Sequence, residues 1–125
     1  MKTKLTFLLS LTFLFLFSGS SVVFGDDYQD GVDAYKRKDY KTAYKLWLPL
    51  AEQGNAKAQY NLGVMYAKGR GFPQDYILAH MWLNLSGANG YKRGIKLRNL
   101  AEKKMTASQI EKARELARNW KPTSK

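Results

Sequence analysis

Residues 54–90 read GNAKAQYNLGVMYAKGRGFPQDYILAHMWLNLSGANG. Two helical patterns lie in this stretch, Ala56 to Lys68 and the segment after Asp75. Between them Gly69-Arg70-Gly71-Phe72-Pro73 forms a turn, because its glycines and proline exclude a continuous helix. The second pattern is also a repetition. Asp39-Tyr40-x-x-Ala43 ending at Gly54 recurs as Asp75-Tyr76-x-x-Ala79 ending at Gly90, every pair 36 residues apart. Asp39 and Asp75 stand where a carboxylate can accept from the free amides of a first helical turn, and Gly54 and Gly90 stand where a left-handed residue can close a last one. A fixed period of this size is the mark of stacked helix pairs, each too small to bury its own apolar face.

Working outward, Tyr28 to Lys38 is expected as a first helix, Tyr91 to Lys104 as a fifth and Ala107 to Asn119 as a sixth. Six helices then fill three pairs. Thr106 followed by Gln109 has the spacing of a capping box ahead of the apolar face of Ile110, Ala113, Leu116 and Ala117. Pro49 lies inside the second helix, where it removes a hydrogen bond and crowds the carbonyl four residues back, so a kink is expected there. Beyond Gly25 only eight residues are β-branched (Val32, Thr42, Val64, Ile77, Ile95, Thr106, Ile110, Thr123), which disfavours strands. The expected class is all-α, a solenoid of antiparallel helix pairs.

The N-terminus has another character. Lys2 and Lys4 precede the uncharged, Leu/Phe-rich run Leu5 to Phe17, 13 residues long, which suits the core of an export signal. Ser18 to Ser21 break the run, and Val23 and Gly25 form a small-residue cleavage site before Asp26. Residues 1–25 are thus expected to be a cleaved signal peptide on a periplasmic or secreted protein. The competing reading is an uncleaved anchor, since Leu5 to Phe24 is 20 residues without a charge. The chain has no cysteine, so packing alone must stabilise it, and acylation on cysteine is excluded.

Charge is divided unevenly. Residues 26–90 carry 8 basic and 7 acidic side chains, whereas 91–125 carry 11 basic and 3 acidic ones. A cationic C-terminal third attracts acidic proteins, lipid head groups, glycans or nucleic acid without choosing among them.

Residues 54–90 resemble one full unit of the Sel-one-like repeat family, relatives of the tetratricopeptide repeats. The resemblance rests on Gly54, Ala58, Leu62, Gly63, Tyr66, Gly69, Gly71, Asp75, Ala79, Trp82 and Gly90. The preceding KDYKTAYKLWLPLAEQG looks like the second helix of an earlier unit, and Leu97 to Trp120 resembles the helical cap of small bacterial members. The implied organisation is a partial unit over 28–54, a full unit over 55–90, a cap over 91–120 and a disordered tail over 121–125. Two departures stand out. Leu46 occupies the place where the offset from Trp82 calls for a tryptophan, with Trp47 one position on, and Ser86-Gly87 replaces paired alanines, so packing is expected to be locally irregular.

Catalytic residues are scarce: no Cys, a single His80, and no His/Asp/Glu cluster at metal-ligand spacing. His80 alone makes neither a triad nor a metal site and is expected at the surface or between helices. Gly69-Arg70-Gly71 is no phosphate loop, lacking a preceding strand, a third glycine and a Gly-Lys-Ser/Thr. The chain is read as a non-enzyme without cofactor or metal.

The resemblance implies that the first helix of each pair lines a concave face. By helical spacing Tyr28, Val32 and Tyr35 project there from the first helix, Lys57, Tyr60, Asn61, Val64 and Lys68 from the third, and Lys92 and Lys96 from the fifth. An aromatic and basic groove suits a protein or peptide partner, an acidic one above all. The plainer alternative has Tyr28 and Tyr60 packing between helices. A second functional reading takes Lys92, Arg93, Lys96, Arg98, Lys103, Lys104, Arg114 and Arg118 as a binder of anionic envelope surfaces, against the plainer view that a charged cap keeps the solenoid's end soluble. Nucleic acid is not expected as partner of an exported chain.

Overall fold

The computed structural model describes residues 27–123, which form six helices and no strand. These are α1 over 27–36, α2 Tyr40–Glu52, α3 Ala56–Lys68, α4 Tyr76–Ala88, α5 Lys92–Glu102 and α6 Ala107–Asn119. The expected signal peptide, its cleavage point and the alternative anchor lie outside the described residues. The class is all-α with adjacent helices packed as pairs. None of the described helices is long and apolar enough to cross a membrane.

The 36-residue repeat reappears as repeated capping geometry. Asp39 Oδ1 accepts from the Thr42 amide at 3.3 Å and Asp75 Oδ1 from the Leu78 amide at 3.0 Å. At the other ends Gly54 and Gly90 adopt φ of +101° and +105°. The next amides, Asn55 and Tyr91, then donate back to the carbonyls of Leu50 and Ser86, each at 3.0 Å. Asn55 also opens α3, accepting from the Ala58 amide at 2.9 Å, so one residue closes a helix and starts another. The Thr106–Gln109 capping box is present in both directions.

Two helices are shorter than their sequence patterns. α1 stops at residue 36 because Lys38 turns left-handed at φ +66° and the Asp39 amide returns to Ala34. α5 begins at Lys92 because Tyr91 is its N-cap, with extended backbone at φ −98° and ψ 96°, and Lys103 follows the last helical residue. Pro49 sits in the last turn of α2, which runs through it and ends at Glu52, so the missing amide falls where the helix is about to stop.

Close packing in the first two pairs is achieved by a glycine on one helix. A Cβ on Gly63 would lie 2.6 Å from Leu83 Cγ, and one on Gly31 would lie 2.3 Å from the Trp47 indole nitrogen. Trp47 and Leu83 are equivalent under the 36-residue offset. The tryptophan that looks displaced in the sequence therefore occupies a regular packing position. Its bulk is accommodated because α1 presents Gly31. Around these contacts Ala34, Ala43, Trp47, Ala58, Leu62, Met65 and Trp82 form one continuous core.

The Ser86-Gly87 departure has an equally local explanation. Ser86 is fully buried and its hydroxyl donates to the Ala56 carbonyl at 2.7 Å, joining α4 to the start of α3. At Gly94 a Cβ would meet the Leu83 carbonyl oxygen at 2.6 Å and the Gly87 amide nitrogen at 2.9 Å, so α5 rests on the backbone of α4. A glycine-to-glycine crossing replaces the alanine contact.

The third pair is not a copy of the first two. α6 packs mainly on α4, and its Leu116 and Ala117, with Trp120 at its end, pack against the core that α2, α3 and α4 build. The chain continues toward α2, where the Thr123 amide donates to the Glu52 carbonyl at 2.8 Å. This contact pins residue 123 of a segment read from sequence as a disordered tail, while 124 and 125 lie outside the described residues. Among the described residues the core draws side chains from α1, α2, α3, α4 and α6.

Candidate functional site

A groove of about 430 Å³ lies between α1 and α3. Tyr28, Val32, Tyr35 and Lys36 form one wall, Tyr60, Asn61 and Val64 the other, and Trp47 of α2 the floor. The spacing of the walls follows from helix geometry: residues 28, 32 and 35, and 60, 61 and 64, share one face of their helices. Both walls come from the first helix of a pair, as a concave face requires. Its volume is within the usual range of ligand clefts and admits a few side chains rather than a folded domain.

The groove is held in shape by polar ties between aromatic groups. Trp47 Nε1 donates to the Tyr28 carbonyl at 3.1 Å, which fixes the indole under α1. Asn61 Nδ2 donates to the Tyr28 hydroxyl at 3.2 Å, bridging the walls. The Tyr28 and Tyr35 rings lie 6.1 and 5.8 Å from that of Trp47, and Tyr60 meets Tyr91 edge-on at 5.1 Å. Arg70, from the turn after α3, donates to the Tyr35 hydroxyl and lies over the Tyr35 and Tyr40 rings at 5.4 and 5.6 Å. Its charge is partly absorbed there. Rigid aromatic walls bind at little entropic cost because few rotors remain to be frozen.

Of the residues read as concave from sequence, Tyr28, Val32, Tyr35, Tyr60, Asn61 and Val64 are brought together in this groove. Tyr28 and Tyr60 are half-buried, so each both packs between helices and faces the groove. Lys57 and Lys68 are exposed on α3 outside its lining, and Lys92 and Lys96 are exposed on α5, also outside it. The groove is accordingly aromatic and apolar with one lining cation, Lys36, and not the mixed aromatic and basic surface expected. Sequence reasoning missed Lys36 and Trp47. The signal for Trp47 was available in Gly31, a helix-interior glycine that serves no turn and is explained by a large neighbour.

The repeat positions occupy caps, turns and core. Gly54, Gly69, Gly71 and Gly90 all have positive φ, Asp75 caps α4, and Ala58, Leu62, Gly63, Ala79 and Trp82 are buried. Tyr66 is half-buried against Phe72, its hydroxyl 3.4 Å from that of Tyr44; burial, aided by this pairing, pushes its phenol well above the ordinary range. A second buried polar link runs from α2 to α4 through Gln59, which donates to the Ala51 carbonyl and accepts from Asn89, each at 3.0 Å.

His80 is fully buried between helices. Its Nε2–H donates to the Glu102 carboxylate at 2.7 Å, and Arg114 of α6 approaches the same oxygen at 3.6 Å. The His80 hydrogen bond is the main cause holding Glu102 below the usual carboxylate range, helped by the positive charges of Arg114 and Arg98. Three helices thus meet at one polar node with no nucleophile beside it. Among the described residues no group of three or more His, Cys, Asp or Glu side chains could hold a metal ion.

A family model described as the Sel1 repeat matches residues 25–55 and 56–91, more than half of the chain. No curated protein and no solved structure matches the chain with significance. Sel1 repeats are in general non-catalytic protein–protein interaction modules. With two matched units whose capping and glycine contacts repeat in space, the chain belongs to the Sel1 repeat family.

Proposed function

We propose that this chain is an exported adaptor that holds an extended segment of a partner protein in the groove between α1 and α3. The observation that carries the reading is the convergence of Tyr28, Tyr35, Trp47 and Tyr60 on one open cleft. Tyr28, Tyr35 and Tyr60 are half-buried, so part of each ring still faces the cleft above the buried Trp47, and tyrosine is among the side chains that most often dominate protein interfaces. With Lys36 as the one lining charge, apolar side chains provide the affinity and an acidic flank is attracted to the rim. Export is supported by Lys2, Lys4, the Leu5 to Phe17 run and the small residues before Asp26. The partner then resides in the periplasm or outside the cell.

The test is recovery of partners from cell-envelope extract on immobilised residues 26–125, beside Tyr60→Ala and Val64→Asp variants. A partner retained by the native sequence at low and moderate salt and lost with both variants supports the groove. Retention by both variants refutes it. N-terminal sequencing of the exported protein is expected to begin at Asp26, and a chain still starting at Met1 would favour the anchor.

A further inference from the structure

The outward side of α5 is cationic in a way that charge counting does not reveal. Of the basic residues after Gly90, Arg114 and Arg118 approach the carboxylates of Glu102 and Glu111, Lys112 approaches Glu115, and Arg98 donates to Asn84 and Asn99. Lys92, Arg93, Lys96, Lys103 and Lys104 are exposed and have no carboxylate within 4.0 Å among the described residues. α5 has one acidic residue, Glu102, and its carboxylate is turned inward to His80 and Arg114. Nothing on the helix neutralises the outer face.

Apolar groups flank these cations. Lys92, Lys96 and Lys103 follow one stripe of the helix, while Arg93, Leu97, Leu100 and Lys104 follow the adjoining one. Leu100 is 54% exposed and Ile95 39%, the two large hydrophobic side chains recorded as exposed among the described residues. Leu100 stands beside a shallow cleft of about 150 Å³ that Leu97 and Tyr76 also line. A soluble cap is served by lysines alone and gains nothing from an exposed leucine among them.

From this combination we infer that the outer face of α5 docks on an anionic lipid surface, with the lysines on the head groups and Leu100 entering the interface. A convex helix side with long, flexible lysine stems matches a flat, mobile array of charges better than it matches a fixed set of carboxylates on a folded protein. The attraction per lysine near such a surface corresponds to about a fivefold change in affinity. Because α6 turns back over α4 and does not pack along α5, no described helix covers this side. The surface is separate from the α1–α3 groove, so the docked protein could still hold its partner.

The experiment is co-sedimentation of residues 26–125, the exported form under the proposed function, with phosphatidylcholine vesicles containing or lacking phosphatidylglycerol. Binding to the anionic vesicles and little to the neutral ones is expected. K92Q/K96Q/K103Q should weaken it about a hundredfold, while R37Q/K41Q/K45Q, an equal change of net charge elsewhere on the surface, should change it less than about fivefold. Leu100→Ser should lose about a further threefold at moderate salt, where screening leaves the apolar contribution prominent. Far-UV circular dichroism verifies that the exposed substitutions leave the helices intact. Equal losses from the two triple variants would overturn the inference in favour of undirected charge attraction. Unchanged binding by Leu100→Ser, together with equally tight binding to polyglutamate, would overturn it in favour of an acidic protein.

Discussion

Gly94→Ala is the substitution for which local propensity and tertiary packing give opposite answers. In an isolated helix it should stabilise α5 by about 1 kcal/mol, because alanine restricts the unfolded chain and favours helix. In this fold the new methyl would lie 2.6 Å from the Leu83 carbonyl oxygen, 2.9 Å from the Gly87 amide nitrogen and 2.9 Å from Ser86 Cβ. Two of these neighbours are backbone atoms of α4, which cannot turn aside as a side-chain end can. α5 must lift instead, and overpacking of this kind costs about 1–3 kcal/mol, with further loss if the nearby His80–Glu102 contact is stretched. The net expectation is a loss of up to about 2 kcal/mol, which for a domain of this size lowers Tm by up to about 16 °C. Gly87→Ala is the internal comparison: its nearest neighbour is the side chain of Ile95, which is partly exposed and can swing away, so it should cost less. Thermal unfolding followed by far-UV circular dichroism, with urea titration for the free energy, measures both. If Gly94→Ala raises Tm, or if Gly87→Ala is the more damaging, the backbone contact between α4 and α5 does not govern the cap.

Three other expectations concern the groove and the cap. Trp47→Phe removes the indole N–H that donates to the Tyr28 carbonyl and leaves a void under Gly31, so urea unfolding should show a loss of about 1–3 kcal/mol, and unchanged stability would mean the indole does not fix α1. Thr106→Ala abolishes a capping box seen in both directions and should cost about 1 kcal/mol in the same assay, with the greatest loss of amide exchange protection in α6. Glu102 has a lowered pKa, so its contribution is present above the ordinary glutamate range and lost as pH falls through the lowered value. Glu102→Gln should therefore lower stability at neutral pH by about 1 kcal/mol, and it should flatten the decline between neutral and acid pH; an unaltered pH profile would remove the node from the account.

Helix boundaries were legible where a boundary is a local event. Asp39, Asp75, Asn55 and Thr106 accept from amides three residues on, and Gly54, Gly69 and Gly90 take up left-handed turns, all within a few residues of chain. Errors arose where the backbone of one residue leaves the helical region: Tyr91 is extended before α5, and Lys38 is left-handed after α1. The Tyr91 amide closes α4, and the Asp39 amide returns to Ala34, which ends α1 early. The groove was half legible: periodicity found six of the seven wall residues, all but Lys36, because facing follows from spacing along one helix. Its floor was not found, because Trp47 reaches it from a different helix and only through the notch at Gly31.

By itself the sequence determined an all-helical repeat with a 36-residue period, its caps and turns, and two aromatic faces that share a pair-by-pair logic. Those features depend on contacts between residues near one another in the chain, or on a repetition that can be counted. Only the tertiary structure decided that α6 turns back over α4 toward Glu52, that Glu102 faces inward and leaves the outer side of α5 without a carboxylate, and that Trp47 lies beneath the groove. Each of these depends on which helices touch and at what angle. Small residues such as Gly31, Gly87 and Gly94 set that through contacts between segments far apart in the chain, and spacing along a single helix carries no record of them.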